Sequence, residues 1–278
     1  MHSQYNATRP GGISAPNRER LVALHRKLAV PFTVPEAARV LNLDTEKSRK
    51  FLAYLASRGW LSRIRRGLYI TVPLEAGAPS DWREDPWVVA FRTFEPFYIG
   101  GWSATEHWGL TDQVFRDVVV ITSRKVRNRR PNIQGTAFRV KVVPVDQLFG
   151  TETVWRNRSP VKVSDPSRTV ADVLDDPSLG GGIRQVAEVV AAYFSGPLRN
   201  GRLLLDYIER LNNRTIYKRL GYLIEASGIK APELVQVCLE RRSSGFSYLD
   251  PTIAHRGHVL RRWNLRINAH IAALEEER

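Results

Sequence analysis

The chain has 278 residues, 43% hydrophobic and 25% charged, enough apolar material for about two domains and too much for wholesale disorder. One cysteine, Cys238, rules out an intramolecular disulfide and a Cys-rich zinc site, no apolar run approaches the roughly 20 residues of a membrane helix, and "MHSQYNATRPGG" lacks the basic start and apolar stretch of a signal peptide, so a soluble, cytoplasmic protein without a membrane partner is expected. Lys+Arg 42 against Asp+Glu 28 gives a net charge of +14 and a pI near 10.3, with a net +9 in residues 1–73 alone, an excess that suits a polyanionic partner.

Residues 1–15 are polar and read as a loose arm. Leu21, Leu24 and Leu28 then recur at helical spacing, which predicts a helix over 17–29. Thr33 followed by Glu36 is a capping box with Pro35 in the first turn, and Ala37, Ala38 and Leu41 line one face of the short helix it starts. Asp44 can cap a third helix from Thr45 to about Ser57, with Ser48, Phe51, Leu52 and Leu55 as its buried stripe and Gly59 closing it. At 100° per residue, Glu46, Arg49, Lys50, Ala53 and Ser57 fall opposite that stripe, with Lys47 and Tyr54 on its shoulder.

The segment "WLSRIRRGLYITV" follows, with Leu61, Ile64, Leu68 and Ile70 anchoring two strands and Gly67 turning between them. Helix, helix, helix, hairpin is a winged helix-turn-helix pattern. Arginines at the hairpin tip are what a wing needs to reach phosphates beside a helix lying in the major groove. A basic helix face is often merely solvated, but here it coincides with capped short helices and a basic turn at the right spacing. The candidate DNA-contacting residues are therefore Thr45, Lys47, Arg49, Lys50 and Tyr54 of the third helix and Arg63, Arg65 and Arg66 of the wing.

Residues 74–85 carry Gly, Pro and acidic residues without periodicity and read as a linker. Beyond it, Asp85-Pro86 opens a helix to about Phe94, "FYIGG" reads as a strand, and Ser103 with Glu106 reads as a capping box for a helix carrying Trp108. "RDVVVIT" and "TAFRVKVVPV" are predicted strands, the first apolar enough to be central in a sheet. The loop between them carries Arg124, Lys125, Arg127, Arg129 and Arg130, either a solvated hairpin or a second DNA or phosphate contact. Asp165-Pro166 starts a helix, Gly180-Gly181-Gly182 turns into another at about 183–194, and helices are expected at about 200–211, 214–226 and 231–241. The fold class is thus α+β. A winged helix-turn-helix domain over 1–73 and a linker over 74–85 precede a larger domain over 86–278, mixed α/β over 86–175 and mainly helical over 176–278.

Catalytic constellations are missing from the sequence. His255 and His258 stand as H-x-x-H without a convincing third ligand beyond Asp250, so no metal site and no cofactor are expected. "GGWS" at 100–103 invites comparison with the entry motif of nucleotidyltransferases, but the next strand offers Asp117 without the second carboxylate that a magnesium clamp requires. Gly180-Gly181-Gly182 lacks the lysine and hydroxyl of a P-loop, and Cys238 lies in an apolar helical setting that suits packing. These gaps favour a non-enzyme.

The order of "GWLSRIRRGLYITV", "FYIGGWSATEHWGL" with "VVVIT", "VKVSDPSRTVADVL", and "LDP" with "RWNLRIN" resembles the AbiEi family, the antitoxins of abortive-infection (type IV) toxin–antitoxin systems. The resemblance implies a repressor of its own operon that binds promoter DNA with inverted repeats. It further implies neutralisation, through the C-terminal domain, of a nucleotidyltransferase toxin encoded alongside. Two other readings stay open: a winged-helix transcription factor with a ligand-sensing C-terminal domain, and a DNA-guided nuclease or transferase.

Overall fold

The computed structural model describes residues 12–28, 30–73, 82–157, 159–254 and 256–271; most of the predicted N-terminal arm, residues 74–81 of the predicted linker, and His255 lie outside these. Two units emerge. One comprises Met1–Glu95, Pro131–Ala137 and Trp155–Val161, the other Pro96–Arg130, Phe138–Val154 and Lys162–Arg278.

In the first unit, α1 (Ala15–Lys27) begins two residues earlier than its apolar spacing suggests, because Ser14 takes the N-cap position and Pro16 fits the first turn. A two-residue strand absent from the sequence reading, β1 (Phe32–Thr33), leads into α2 (Val34–Leu41). The capping box forms as its residues dictate: the Thr33 N–H donates to Glu36 Oε2 at 2.6 Å and the Glu36 N–H to Thr33 Oγ1 at 3.4 Å. Asn42 ends the helix in the left-handed region at φ 51°. Next come α3 (Thr45–Ser57), β2 (Leu61–Arg65) and β3 (Leu68–Thr71), with strand order β1-β3-β2 and Phe32 opposite Tyr69. Leu24, Phe32, Ala37, Leu52, Leu55 and Leu61 close the core beneath them. Helix α4 (Pro86–Phe94) groups with this unit, although the sequence reading placed it after the linker. Arg92 accounts for that grouping: it bonds the Glu36 carboxylate and, at 2.7 Å, the Pro31 carbonyl.

The second unit is built on a sheet in the order β6-β7-β5-β4-β9-β8. Its strands are β4 (Phe97–Ile99), β5 (Val118–Thr122), β6 (Asn132–Ile133), β7 (Thr136–Val142), β8 (Thr151–Arg156) and β9 (Ser159–Ser164), of which 131–137 and 155–161 are counted with the first unit. Strand β5 is buried along its whole length and interior to the sheet, as its continuous apolar run predicts. Strands β5 and β7 run parallel, so the segment joining them cannot be the solvated hairpin considered above; the hairpin is β6–β7, beyond the arginines.

Helix α5 (Gly101–His107) corrects a second expectation. It starts at Gly101, with Gly100 as N-cap, so Ser103 lies inside the first turn and its hydroxyl accepts the Val119 N–H at 3.0 Å instead of capping. At Gly101, with φ +54°, a Cβ would stand 2.5 Å from the Leu179 carbonyl, so the first residue of the helix has to be glycine. Helix α6 (Pro166–Asp175), capped by Asp165, then leads to α7 (Ile183–Ser195), α8 (Gly201–Leu211), α9 (Thr215–Ala226) and α10 (Pro232–Arg241), all within about two residues of expectation. A small sheet not foreseen in the sequence completes the unit: β10 (Ser247–Tyr248), β11 (His258–Leu260) and β12 (Leu265–Ile267), in the order β10-β12-β11. The chain is α+β, and no helix among the described residues is long and apolar enough to cross a membrane.

Candidate nucleic-acid interface

The exposed face of α3 is set by its cap and its stripe. Asp44 Oδ1 accepts the Lys47 N–H at 2.7 Å, which fixes the first turn, and that bond first and foremost holds the Asp44 carboxyl below its ordinary range. Ser48, Leu52 and Leu55 are buried and Phe51 half-buried, so Thr45, Glu46, Lys47, Arg49, Lys50, Ala53 and Ser57 are left exposed while Tyr54 lies half-buried at the edge. Lys47 pairs with Asp44 at 3.2 Å and Lys50 with Glu46 at 3.1 Å. All four of these side chains are more than half exposed, and solvent screens such pairs so strongly that a phosphate can displace the carboxylates. Arg49 makes no ion pair among the described residues. Arg58, which the helical wheel did not single out, lies 5.7 Å over the Tyr54 ring, four residues away, and adds a cation at the C-terminal end of this face.

The wing owes its shape to an irregularity. Strict alternation would place Leu61, Arg63 and Arg65 on one side of β2, yet Leu61 and Ile64 are buried while Arg63 and Arg65 are exposed. The register against β3 shifts between Arg63 and Arg65, a bulge that resets the phase and turns both arginines outward. Arg66 is exposed beside Gly67, whose φ of +78° makes the tight turn and whose surroundings are open. Behind the wing, Ser62 Oγ accepts from Gln134 Nε2 at 2.7 Å, fixing β2 from its other side. The structure thus brings together, in one unit, every candidate residue of α3 and of the wing.

Arg124, Lys125, Arg127, Arg129 and Arg130 belong to the second unit, all exposed. Their loop is shaped by its backbone: the Arg129 carbonyl accepts the Val140 N–H at 2.9 Å and the Arg130 N–H donates to Asn128 Oδ1 at 2.8 Å.

The remaining chemistry-bearing residues take structural positions. Asp250 Oδ2 accepts the Ile183 N–H at 2.9 Å and so caps α7. His258 stands exposed in a strand, not on a helix, and no group of three His, Cys, Asp or Glu among the described residues can hold a metal ion. Cys238 is fully buried and its thiol is pushed up to about 12 by that burial, which leaves it an inert packing group. Arg168 is buried against Asp172 at 2.9 Å and Tyr98 at 2.8 Å, a polar knot inside the second unit.

Residues 19–72, the winged-helix segment, match the family model of the AbiEi antitoxin transcriptional regulators. Over the whole length the fold is similar to the crystal structure of the RV2827C protein from Mycobacterium tuberculosis, with a TM-score of 0.67, 15% identity and 97% of each chain covered. No curated protein matches the chain in sequence.

Proposed function

We propose, from the AbiEi-type winged helix at residues 19–72, that this chain is a cytoplasmic, non-enzymatic antitoxin that represses its own operon and opposes a nucleotidyltransferase toxin encoded beside it. Helix α3 enters the major groove of promoter DNA through Thr45, Lys47, Arg49, Lys50 and Tyr54. The wing arginines Arg63, Arg65 and Arg66 bind flanking phosphates, and the loop arginines of the second unit add a further phosphate contact. Neutralisation is assigned to residues 86–278. One observation carries the DNA-binding part: a capped helix and a bulged, tightly turned hairpin in one unit leave six cations exposed, Lys47, Arg49 and Lys50 on α3 and Arg63, Arg65 and Arg66 on the wing.

The test uses the full chain. Titrated against its own promoter, Arg49→Ala or Lys50→Ala is expected to weaken binding by about 1–3 kcal/mol if the side chain reads a base. Unchanged affinity in both variants removes α3 from the recognition role. Co-expression with the neighbouring gene tests the other half: failure to restore growth to toxin-expressing cells at normal protein level rejects the antitoxin assignment.

A further inference from the structure

A cavity of about 480 Å³ opens in the second unit where α8 and α10 begin. Its volume lies within the range of small-ligand sites, and its lining has two characters. Phe194, Leu205 and Leu234 form an apolar floor, with Phe194 only 6% exposed. Arg199, Arg202 and Lys230 stand over that floor, exposed, and none of them takes part in an ion pair among the described residues. Elsewhere in this unit cations such as Lys141, Arg168, Arg241 and Arg262 are matched to carboxylates. The cavity carries one acid, Glu233, against three cations.

The backbone adds to this. Asn200 caps α8 with its own side chain, whose Oδ1 accepts the Leu203 N–H at 3.0 Å, whereas α10, with Ala231 at its N-cap and Pro232 as its first residue, has no side-chain cap. The positive end of α10 therefore faces the cavity alongside the cations. Arg199 lies 5.8 Å from the Phe194 ring centroid, so a guanidinium and an aromatic face already lie together, a setting in which a flat ring can stack.

We infer that this cavity is a binding site for a small phosphate monoester carrying a flat apolar ring, the chemistry of a mononucleotide. An excess of two positive charges matches a phosphate dianion near neutral pH, arginine forks suit its oxygens, and the apolar floor takes the ring. Neither half alone satisfies the site. Inorganic phosphate leaves the floor bare, and an uncharged nucleoside leaves the cations unmatched.

Calorimetric titration of the full chain with adenosine 5′-monophosphate, adenosine and inorganic phosphate tests the assignment. Saturable binding of the monophosphate is expected, at least tenfold tighter than either half. Arg202→Ala combined with Lys230→Ala should weaken it tenfold or more, and Glu233→Gln, which removes the one repelling charge, should tighten it several-fold. All three positions are exposed, so the fold is retained, and thermal unfolding midpoints verify it. Absence of saturable monophosphate binding at millimolar concentration overturns the inference. So does binding that survives the double alanine variant but disappears in Arg65→Ala with Arg66→Ala, which would place the anion on the wing. A double variant that loses affinity for duplex DNA while the monophosphate never bound would identify the phosphates as those of DNA, and would equally reject the small-ligand site.

Discussion

Glu36 occupies the third position of α2, where its carboxylate accepts the Thr33 N–H and pairs with Arg92 of α4. Burial works against its ionisation, but the Thr33 backbone bond and the Arg92 guanidinium outweigh that and hold its pKa below the ordinary 4.5. A carboxylate with a depressed folded-state pKa contributes stability that is present above its unfolded value and is lost as pH falls through the folded one. Glu36→Gln is therefore expected to destabilise the protein at neutral pH, with the gap between variant and wild type closing below about pH 4. Denaturant titrations at a series of pH values read this directly; a gap independent of pH would show that the charge contributes nothing. At Gly221 the constraint is steric. A Cβ there would lie 2.0 Å from Trp263 Cη2, and that indole is fully buried with its N–H bonded to Glu225 at 2.7 Å. Gly221→Ala should cost about 1–3 kcal/mol through overpacking, seen as a lower denaturant midpoint.

Among the elements, those written by local signals were legible. Thr33-x-x-Glu36, Asp44 and Asp165-Pro166 each place a helix start within one residue, because a cap involves only neighbours in the chain. Strands β8 and β9 and the β10–β12 sheet were not read, since β9 is held by parallel pairing of Val163 with Ile99, a partner 64 residues earlier, and nothing in its own sequence announces that. The Ser103–Glu106 pattern misled because packing at Gly100 and Gly101 lets α5 start earlier. In the candidate interface, periodicity located the arginines, but only the register against β3 reveals the bulge that turns Arg63 and Arg65 outward together. This geometry makes the wing a positioning element. Arg65→Ala with Arg66→Ala should weaken DNA binding across sequences and lower the slope of log affinity against log salt by about 0.9 for each lost phosphate contact. Binding measured over a range of salt concentrations gives that slope, and an unaltered value would mean that neither arginine touches a phosphate.

For the whole molecule, a net charge of +14 is concentrated so that residues 1–73 hold +9 of it, while the larger second unit has its own apolar cores. If operator binding draws on the first concentration and neutralisation on residues 86–278, the two activities separate in a single full-length variant. Arg49, Lys50, Arg65 and Arg66 changed together to alanine should abolish operator binding yet still restore growth to cells expressing the toxin. All four side chains are exposed, so their removal should change stability by no more than about 0.5 kcal/mol per site and leave the core of the second unit untouched. Growth under toxin induction, read beside gel-shift affinity and protein level in the same cells, decides the matter. Restored growth without DNA binding assigns neutralisation to the second part of the chain. Lost growth at normal protein level would place the winged helix itself in the neutralising mechanism, and the basic face of α3 and the wing would then have to serve both activities at once.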